Sequence, residues 1–557
     1  MLLKKPTGFR FADGILLASL FLVGGFHEYI SCALSAVMSI WLLYRLARQK
    51  QLCIRKDFLT SAVVAVCLGY GLTCLWGIDR GMAFVGFLKF LPLLLYLFCL
   101  QQEGMGVAYQ VLPYFGAALA VISAIGMQFA PVKSLFSVAG RLAGTFQYPN
   151  TFAVFLLVCE LLLLNKPEKK LWDYGVLLVL IAGFLYTGSR TAFVVAILAN
   201  VAMLLSMTQK KVRLISLAAM GGVCLICLLL ALDPESVLRR YLTISLTEST
   251  FVGRLLYWVD ALPLLLKHPF GMGYMGYYYA QQSIQTGVYS VAYIHNDFLQ
   301  LVLDIGLIPA GLLIAAIVIW FFKKQIPVAD KIIVGAVCLH SLFDFNLQFI
   351  GMFFLLLLLL SREQTDQVLT VKPRLPLKIS FGAAALLSLY IGAALMMAHL
   401  GSRELSDTLY PYNTQNKLAI LEQTEDLEEA NALAEDILAQ NTYFYAPYSI
   451  KAKYCYSQGD FGAVITNQRA ALERNPFGHG EYEAYCKMLL TGIELYEKAG
   501  DRQSAEICRK ELLAVRDQLA ANGERLSPLG KMIDDQPVLE LSRELQESIG
   551  KLEGGNR

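Results

Sequence analysis

The chain has 557 residues, of which 56% are hydrophobic and only 16% are charged, and its mean hydropathy is +0.52. Soluble domains have a charged fraction of about 25%, so the composition excludes an ordinary soluble protein and predicts a polytopic membrane protein. The net charge of +3 conceals an asymmetry, because residues 1–400 hold 30 Lys/Arg and 18 Asp/Glu, whereas residues 401–557 hold 17 and 26. A basic membrane part is therefore followed by an acidic part that resembles a soluble domain in composition.

The first 400 residues contain apolar runs close to the length that a membrane-crossing helix needs, about 17–25 residues. We predict an all-α bundle of about 12–13 spans, several of them short, in a membrane domain at 1–400. The predicted spans are 11–26, 30–46, 58–76, 82–100, 107–128, 150–165, 171–188, 190–207, 212–232, 295–322, 329–344, 346–361 and 379–399. The longest polar break, residues 233–294, is predicted as a large extracytoplasmic loop.

Clusters of Lys and Arg in short loops predict the orientation of the spans. Such clusters precede the first span or follow an even-numbered one, as Lys323 and Lys324 follow the tenth. This parity predicts a cytoplasmic N-terminus. It also predicts that the acidic tail lies outside, together with the loops at 129–149, 188–190 and 233–294.

The acidic tail has the pattern of paired helices joined by short turns. Predicted helices at 446–457 and 461–474 are separated by Gly459 and Asp460, and a second Gly-Asp pair follows at 500–501. Each helix pair of this kind needs its neighbour to bury its apolar face, which is typical of an α-solenoid. We predict a tetratricopeptide-like helical repeat domain at 404–526, with 527–557 as a cap or loose C-terminus.

Four polar clusters fall on the same predicted face of the membrane. A single membrane-surface arginine commonly reaches toward lipid headgroups, so each one alone has an ordinary explanation. Three arginines among Gly, Ser, Thr and Asn residues, with a histidine on the same face, favour an anionic-headgroup site with a base nearby. The clusters are 140–150 with Arg141, 187–191 with Arg190, 253–258 with Arg254, and 293–300 with His295.

These clusters resemble motifs of the O-antigen ligase and O-antigen polymerase superfamily. A further segment, from His340 to Leu347, is similar to the closing motif of the branch with C-terminal tetratricopeptide-like repeats. The motifs are Arg-x-x-Gly-Thr-Phe…Pro-Asn at 141–150, Gly-Ser-Arg-Thr-Ala at 188–192, Gly-Arg…Trp at 253–258, His-Pro-Phe-Gly-Met-Gly at 268–273 and His-Asn-Asp-Phe-Leu-Gln…Gly-Leu at 295–307.

The resemblance implies transfer of a glycan from an undecaprenyl-diphosphate-linked donor to a lipid, glycan or protein acceptor. The reaction would take place on the outer face of the cytoplasmic membrane of a bacterium, in one inverting step and without a metal or other cofactor. Carried over by position, His295 matches the essential histidine and Arg190 and Arg254 match the diphosphate-binding arginines, with Arg141 a further candidate. An imidazole suits removal of a hydroxyl proton, and fixed guanidinium groups stabilise charge on a leaving diphosphate.

Four further residues are expected to support the site: Asn150, Asp297, His340 and Asp344. Asp297 is a candidate to orient His295, although two residues along a helix point about 200° apart. His340 and Asp344, four residues apart, are expected to share a helical face and to brace the site.

Other polar residues in the apolar region have weaker claims. Asn296 and Asp304 are less favoured than Asp297. Lys89 either faces the lipid carrier or pairs with Glu160, and we favour the structural pairing. The C-x-x-C at residues 224–227 has no second cysteine pair beside it, so no metal site is predicted there.

Three alternatives stay open. A polysaccharide polymerase would use the same lipid-linked carrier as donor and acceptor. A lipid-linked glycan transporter or flippase would be similarly hydrophobic, but transporters concentrate polar residues in broken helices near mid-membrane. A membrane-anchored scaffold would use the helical repeats to bind a protein partner and would give the arginine–histidine set no task. Nothing in the sequence indicates nucleic-acid binding.

Overall fold

The computed structural model describes residues 8–206 apart from 105, residues 229–361, 367–372 and 374–554, and isolated residues between 213 and 226. Cys224, Cys227 and part of the predicted span 212–232 lie outside the described residues. The helices up to residue 399 are α1 (Phe11–Phe21), α2 (Glu28–Gln49), α3 (Phe58–Trp76), α4 (Arg80–Glu103), α5 (Ala108–Gly126), α6 (Lys133–Phe136), α7 (Pro149–Leu164), α8 (Leu171–Tyr186), α9 (Arg190–Ser206), α10 (Ser249–Lys267), α11 (Gly276–Ile284), α12 (Asp297–Ile305), α13 (Leu307–Phe322), α14 (Val328–Ser341), α15 (Ile350–Leu360) and α16 (Leu375–His399).

Strands are few and short among the described residues. β1 (Leu52–Arg55) pairs antiparallel with β4 (Val368–Val371), and β2 (Ser137–Val138) pairs antiparallel with β3 (Arg141–Leu142). The protein is therefore an all-α polytopic membrane helix bundle, as predicted.

Six described helices are long and apolar enough to cross a membrane, namely α2, α3, α4, α5, α10 and α16. Shorter apolar helices of 10–17 residues accompany them, namely α1, α7, α8, α9, α13 and α15. One of the six, α10, lies inside the segment 233–294 that was predicted as a loop. That segment is thus partly helical, with α11 as its second helix.

The predicted span 295–322 is two helices, because the chain breaks at Gly306. This residue has φ +86°, a conformation that glycine adopts readily, and it separates α12 from α13. α12 begins at Asp297, and the side chain of Asn296 caps it by accepting a hydrogen bond from the Leu299 N–H at 3.0 Å. His295 therefore precedes the helix, and the expected helical angle between His295 and Asp297 does not apply.

Two expected pairings are also corrected. Helix α14 ends at Ser341, so His340 and Asp344 do not share a helical face. Asp344 lies in the turn before the short 3-10 helix Asn346–Gln348. The wholly buried ammonium of Lys89 lies 3.3 Å from the carboxylate of Glu28, so the favoured pairing with Glu160 is wrong.

The chain divides into two compact units. The first comprises Met1–Leu72, Phe84–Ser245 and Ile294–Met396, and the second comprises Thr73–Ala83, Leu246–Tyr293 and Met397–Arg557. Within the first unit, α7 and α15 are buried along nearly their whole length. A helix that is apolar on all sides, such as α15, is suited to that central position.

In the second unit the tail consists of successive helices. Gly459 and Gly500 have φ +74° and +77°, and the side chains of Asp460 and Asp501 then cap α21 and α23. The predicted Gly-Asp turns are confirmed, and two of the helices have the bounds that were predicted. The helices are α17 (Arg403–Leu409), α18 (Thr414–Leu421), α19 (Leu427–Gln440), α20 (Ala446–Ser457), α21 (Phe461–Arg474), α22 (His479–Lys498), α23 (Arg502–Ala521) and α24 (Arg543–Gly554).

The C-terminal part of the tail packs against residues 246–293 of the same unit. The Ser527 N–H donates to the Thr286 carbonyl at 3.0 Å. The Gly530 backbone lies so close that an added Cβ would be 2.0 Å from the Thr286 oxygen. Beside this contact, one apolar cluster joins the tail to α10 through Ile533, Val252, Leu256 and Tyr289. The segment predicted as a cap or loose terminus is thus built into the second unit.

Candidate active site

His295 occupies a constrained position immediately before α12. Its φ is +54°, in the left-handed region where a Cβ crowds the backbone. The preceding N–H, that of Ile294, donates to the side-chain oxygen of Gln300 at 3.0 Å. Gln300 in turn donates to Asp304 at 2.8 Å, and the Tyr70 hydroxyl donates to the same carboxylate at 3.0 Å. This buried network fixes the chain at the point where the imidazole leaves it.

The carboxylate that contacts His295 belongs to Asp344. Nδ1 of the imidazole lies 3.2 Å from Oδ1 of Asp344. The Asp344 side chain is fully buried, whereas that of His295 is 20% exposed. Asp297, predicted to orient the imidazole, is directed elsewhere, since it accepts a hydrogen bond from the Leu347 N–H at 3.0 Å. Asp344 therefore holds one ring nitrogen while the ring remains partly accessible.

Three other donors fix the Asp344 carboxylate. The Tyr148 hydroxyl donates to Oδ1 at 2.8 Å, and the Phe345 N–H donates to the same oxygen at 3.0 Å. The amide of Asn150 donates to Oδ2 at 2.8 Å. These donors hold the carboxylate in one orientation beside the imidazole.

Asn150 continues the network to Arg141. Nη2 of Arg141 donates to Oδ1 of Asn150 at 2.7 Å, and Nε donates to the Thr187 carbonyl at 2.7 Å. Arg141 opens β3, just after a two-residue turn in which Ala139 and Gly140 have φ +49° and +74°. Positive φ at both turn positions suits the right-handed twist of a tight hairpin. The hairpin thereby presents Arg141 to the turn that ends α8.

That turn, Thr187 to Ser189, connects α8 to α9 and contacts a second arginine. Gly188 has φ +58°, and its carbonyl accepts a hydrogen bond from Nε of Arg240 at 3.2 Å. Arg190 is the first residue of α9 and is half-buried. Arg141 and Arg240 are therefore anchored on the same turn that leads into Arg190.

The pKa of Arg141 is lowered by its surroundings. Burial, and after it the positive charge of Arg240, lowers the pKa of Arg141 to about 10. The guanidinium thus remains charged at neutral pH. Both of its hydrogen-bond acceptors are neutral, one a carbonyl and the other an amide oxygen.

Aromatic rings pack beside His295 in the first unit. The Phe345 ring stands edge-on to the imidazole of His295, with 4.9 Å between ring centroids. Tyr148 stacks on Phe345 at 4.7 Å, and Phe26 packs on Phe349 at 4.7 Å. Lys89 lies over Phe26 at 4.9 Å, so its ion pair with Glu28 borders this aromatic layer.

Two other predicted site residues, His340 and Arg254, have different surroundings. Nδ1 of His340 lies 2.9 Å from the amide nitrogen of Asn346, so His340 braces the turn that follows Asp344. Arg254 belongs to the second unit, where it is half-buried on α10. Sequence reasoning missed Tyr148 and Arg240. Tyr148 sits in the quoted 141–150 motif, whereas Arg240 lies in a polar stretch with no motif to mark it.

Comparison with known families matches one part of the chain. Residues 175–316 match the family model described as O-antigen ligase. The matched range contains Arg190, Arg254 and His295, whereas Arg141 and Asp344 fall outside it. Comparisons with curated proteins and with solved structures found no match. The matched domain supports glycan transfer of the O-antigen ligase type in a multi-pass membrane protein.

Proposed function

We propose that the chain transfers a glycan from an undecaprenyl-diphosphate-linked donor to an acceptor hydroxyl on the outer face of a bacterial cytoplasmic membrane. The observation that carries the proposal is the hydrogen-bond path His295–Asp344–Asn150–Arg141. It joins a partly exposed imidazole to a guanidinium through the buried side chain of Asp344 and the half-buried side chain of Asn150. A base at one end and a fixed cation at the other match the two needs of this reaction.

At the imidazole end, His295 acts as the general base. With Nδ1–H donated to Asp344, Nε2 carries the lone pair that accepts the proton of the acceptor hydroxyl. Asp344 selects this tautomer and stabilises the imidazolium that forms, as a carboxylate does in other His–Asp pairs. General-base catalysis of this kind contributes about 10²- to 10⁴-fold to a rate.

At the guanidinium end, the lipid diphosphate leaves. The bond between the anomeric carbon and the phosphate oxygen breaks, its electron pair goes to the diphosphate, and the acceptor oxygen forms the new glycosidic bond. Arg141 and Arg190 stabilise the charge that develops on the phosphate oxygens, since pre-oriented donors act without reorganisation. Arg254 joins them in this proposal through its motif alone. In this scheme the arginines take the role of a divalent cation.

The proposal is tested with the purified full chain in detergent or vesicles. It is incubated with an undecaprenyl-diphosphate-linked oligosaccharide and candidate lipid, glycan or peptide acceptors, and the products are weighed by mass spectrometry. An acceptor that gains the mass of one glycan, with release of the lipid diphosphate, is the expected result. A ladder of masses would instead assign a polymerase. Movement of intact donor across vesicles without product would assign a transporter and overturn the proposal.

A matched histidine variant separates chemistry from folding. His295→Ala should abolish product formation while the protein still inserts and elutes as a single species. His399→Ala, which changes the exposed residue at the end of α16, should transfer normally. Wild-type activity in the His295→Ala protein would remove the base assignment.

A further inference from the structure

Arg240 belongs to the short 3-10 helix Val237–Tyr241, which is bound tightly to the turn that ends α8. The Tyr241 hydroxyl donates to the Leu185 carbonyl at 2.8 Å, and its ring stacks on Phe193 of α9 at 4.3 Å. The fit around the intervening glycine is close, since a Cβ at Gly188 would lie 2.8 Å from the Val237 side chain. Contacts of Val237 and Tyr241, which flank Arg240 in the 3-10 helix, therefore fix its position.

Two guanidinium groups are therefore held on adjacent carbonyls of one turn. Arg141 donates to the Thr187 carbonyl and Arg240 to the Gly188 carbonyl, each through Nε. Anchoring through Nε directs the other end of a planar guanidinium away from the anchoring carbonyl. The shared turn consequently anchors two guanidinium groups on neighbouring carbonyls.

The two guanidinium groups carry like charges. The Coulombic effect of Arg240 on Arg141 is repulsive, and both acceptors of Arg141 are neutral groups. An anion with several oxygens can accept charge-assisted hydrogen bonds from both guanidinium groups and attracts both charges. A diphosphate has the charge and the number of acceptor oxygens for two forks.

We propose that Arg240 and Arg141 together bind the phosphate oxygens of the donor's lipid diphosphate on the Thr187–Gly188 turn. This inference rests on the proposed function and adds to it a residue that no motif identifies. It also assigns a task to the 3-10 helix Val237–Tyr241, which brings Arg240 to the turn where α9 and Arg190 begin.

Arg239 provides a matched control. It is the neighbouring residue of the same 3-10 helix, carries the same charge and is exposed. An effect of net charge or of the local helix would be common to both positions. An effect of phosphate binding would be specific to Arg240.

The binding experiment uses geranylgeranyl diphosphate with the purified full chain. We expect Arg240→Gln to raise the Kd for geranylgeranyl diphosphate about tenfold or more, which is the usual effect of losing one hydrogen bond to a charged group. Arg240→Lys should recover only part of the affinity, and Arg239→Gln should stay within about twofold of wild type on the same scale. Unchanged affinity in Arg240→Gln, or an equal loss in Arg239→Gln, overturns the inference.

A measurement on the wild-type chain guards against misfolding of the variants. Phenylglyoxal modifies accessible arginines, and mass spectrometry quantifies each site with and without geranylgeranyl diphosphate. Protection of Arg240 but not of Arg239 supports the inference, and equal labelling of Arg240 in both conditions overturns it. A wild-type chain that neither binds the diphosphate nor transfers glycan would instead overturn the proposed function itself.

Discussion

The carboxylate of Asp344 lies 3.2 Å from Nδ1 of His295, although 49 residues separate them in the chain. The two residues come together because α12 begins just after His295 and α14 ends just before Asp344. Both side chains therefore project from irregular backbone at helix ends. Residues at the ends of two different helices can pair in this way although they are far apart in the chain.

The first prediction concerns Asp344→Asn. Loss of the charge removes stabilisation of the imidazolium, so we expect kcat to fall about 100-fold with little change in the KM for donor. Steady-state kinetics measure this, and formate should partly restore an Asp344→Ala protein. Asp330→Asn is the control. Asp330 is also buried, lies on α14, the helix that precedes Asp344, and accepts a hydrogen bond from the Tyr109 hydroxyl at 2.8 Å. An equal fall in kcat for the control would contradict the pairing.

The second prediction uses the left-handed backbone of His295. Both His295→Gly and His295→Ala should be inactive, because each lacks the base. The His295→Gly protein should nevertheless be the more stable of the two by about 1 kcal/mol, since glycine has no Cβ to crowd the backbone at positive φ. Thermal unfolding in one detergent compares them. A more stable His295→Ala protein would show that the conformation carries no strain.

The third prediction concerns the arginines carried over from the motifs. Arg190→Ala and Arg254→Ala should each raise the KM for donor about tenfold or more, and lysine at either position should rescue poorly because the planar fork is lost. The KM for acceptor serves as the internal reference and should hardly change. Full rescue by lysine would mean that charge alone suffices.

The fourth prediction concerns metal ions. Because arginines are proposed to stabilise the leaving diphosphate, transfer should continue in excess EDTA at near its full rate. The assay is the mass-based transfer reaction, with and without added Mg²⁺ after chelation. Strict dependence on the added cation would refute the assignment of that role to guanidinium groups.

The fifth prediction concerns the contact between the tail and α10. A Cβ at Gly530 would lie 2.0 Å from the Thr286 oxygen, so Gly530→Ala should destabilise the second unit by about 1–3 kcal/mol. Gly550→Ala is the control, because a Cβ there meets nothing within 4 Å and alanine favours the helix.

The same contact bears on a deletion of residues 404–557. The tail packs on α10, which carries Arg254, so the deletion should impair donor binding as well as acceptor choice. Intact donor affinity in the deletion would contradict this.

Much of the helical architecture was predictable because its signals are local. The bounds of α20 and α21 follow from the Gly459–Asp460 turn, in which the glycine ends one helix and the aspartate caps the next. The break at Gly306 was missed, since hydrophobicity continues on both sides and a single glycine does not interrupt an apolar run. The predicted shared face of His340 and Asp344 likewise assumed a helix that continues through Asp344, whereas the helix ends at Ser341.

Several residues of the candidate site were predictable, but their pairings were not. His295, Arg141 and Asn150 were selected from local motifs, and these residues do form one network with Asp344. The partner of the histidine was expected two residues away and was found 49 residues away. Lys89 similarly pairs with Glu28, which lies 61 residues earlier in the chain. Long-range pairings depend on tertiary packing, which residue spacing does not encode.

The hydrogen-bond path from Arg141 to His295 has a thermodynamic consequence. An anion that reorients Arg141 also acts on Asn150, on Asp344 and so on the orientation of the imidazole. Binding free energies at the two ends of such a path are coupled, and the coupling is reciprocal. We therefore expect donor and acceptor to change each other's affinity by the same factor. Asn150, which donates to Asp344 and accepts from Arg141, is the residue through which that cooperativity passes.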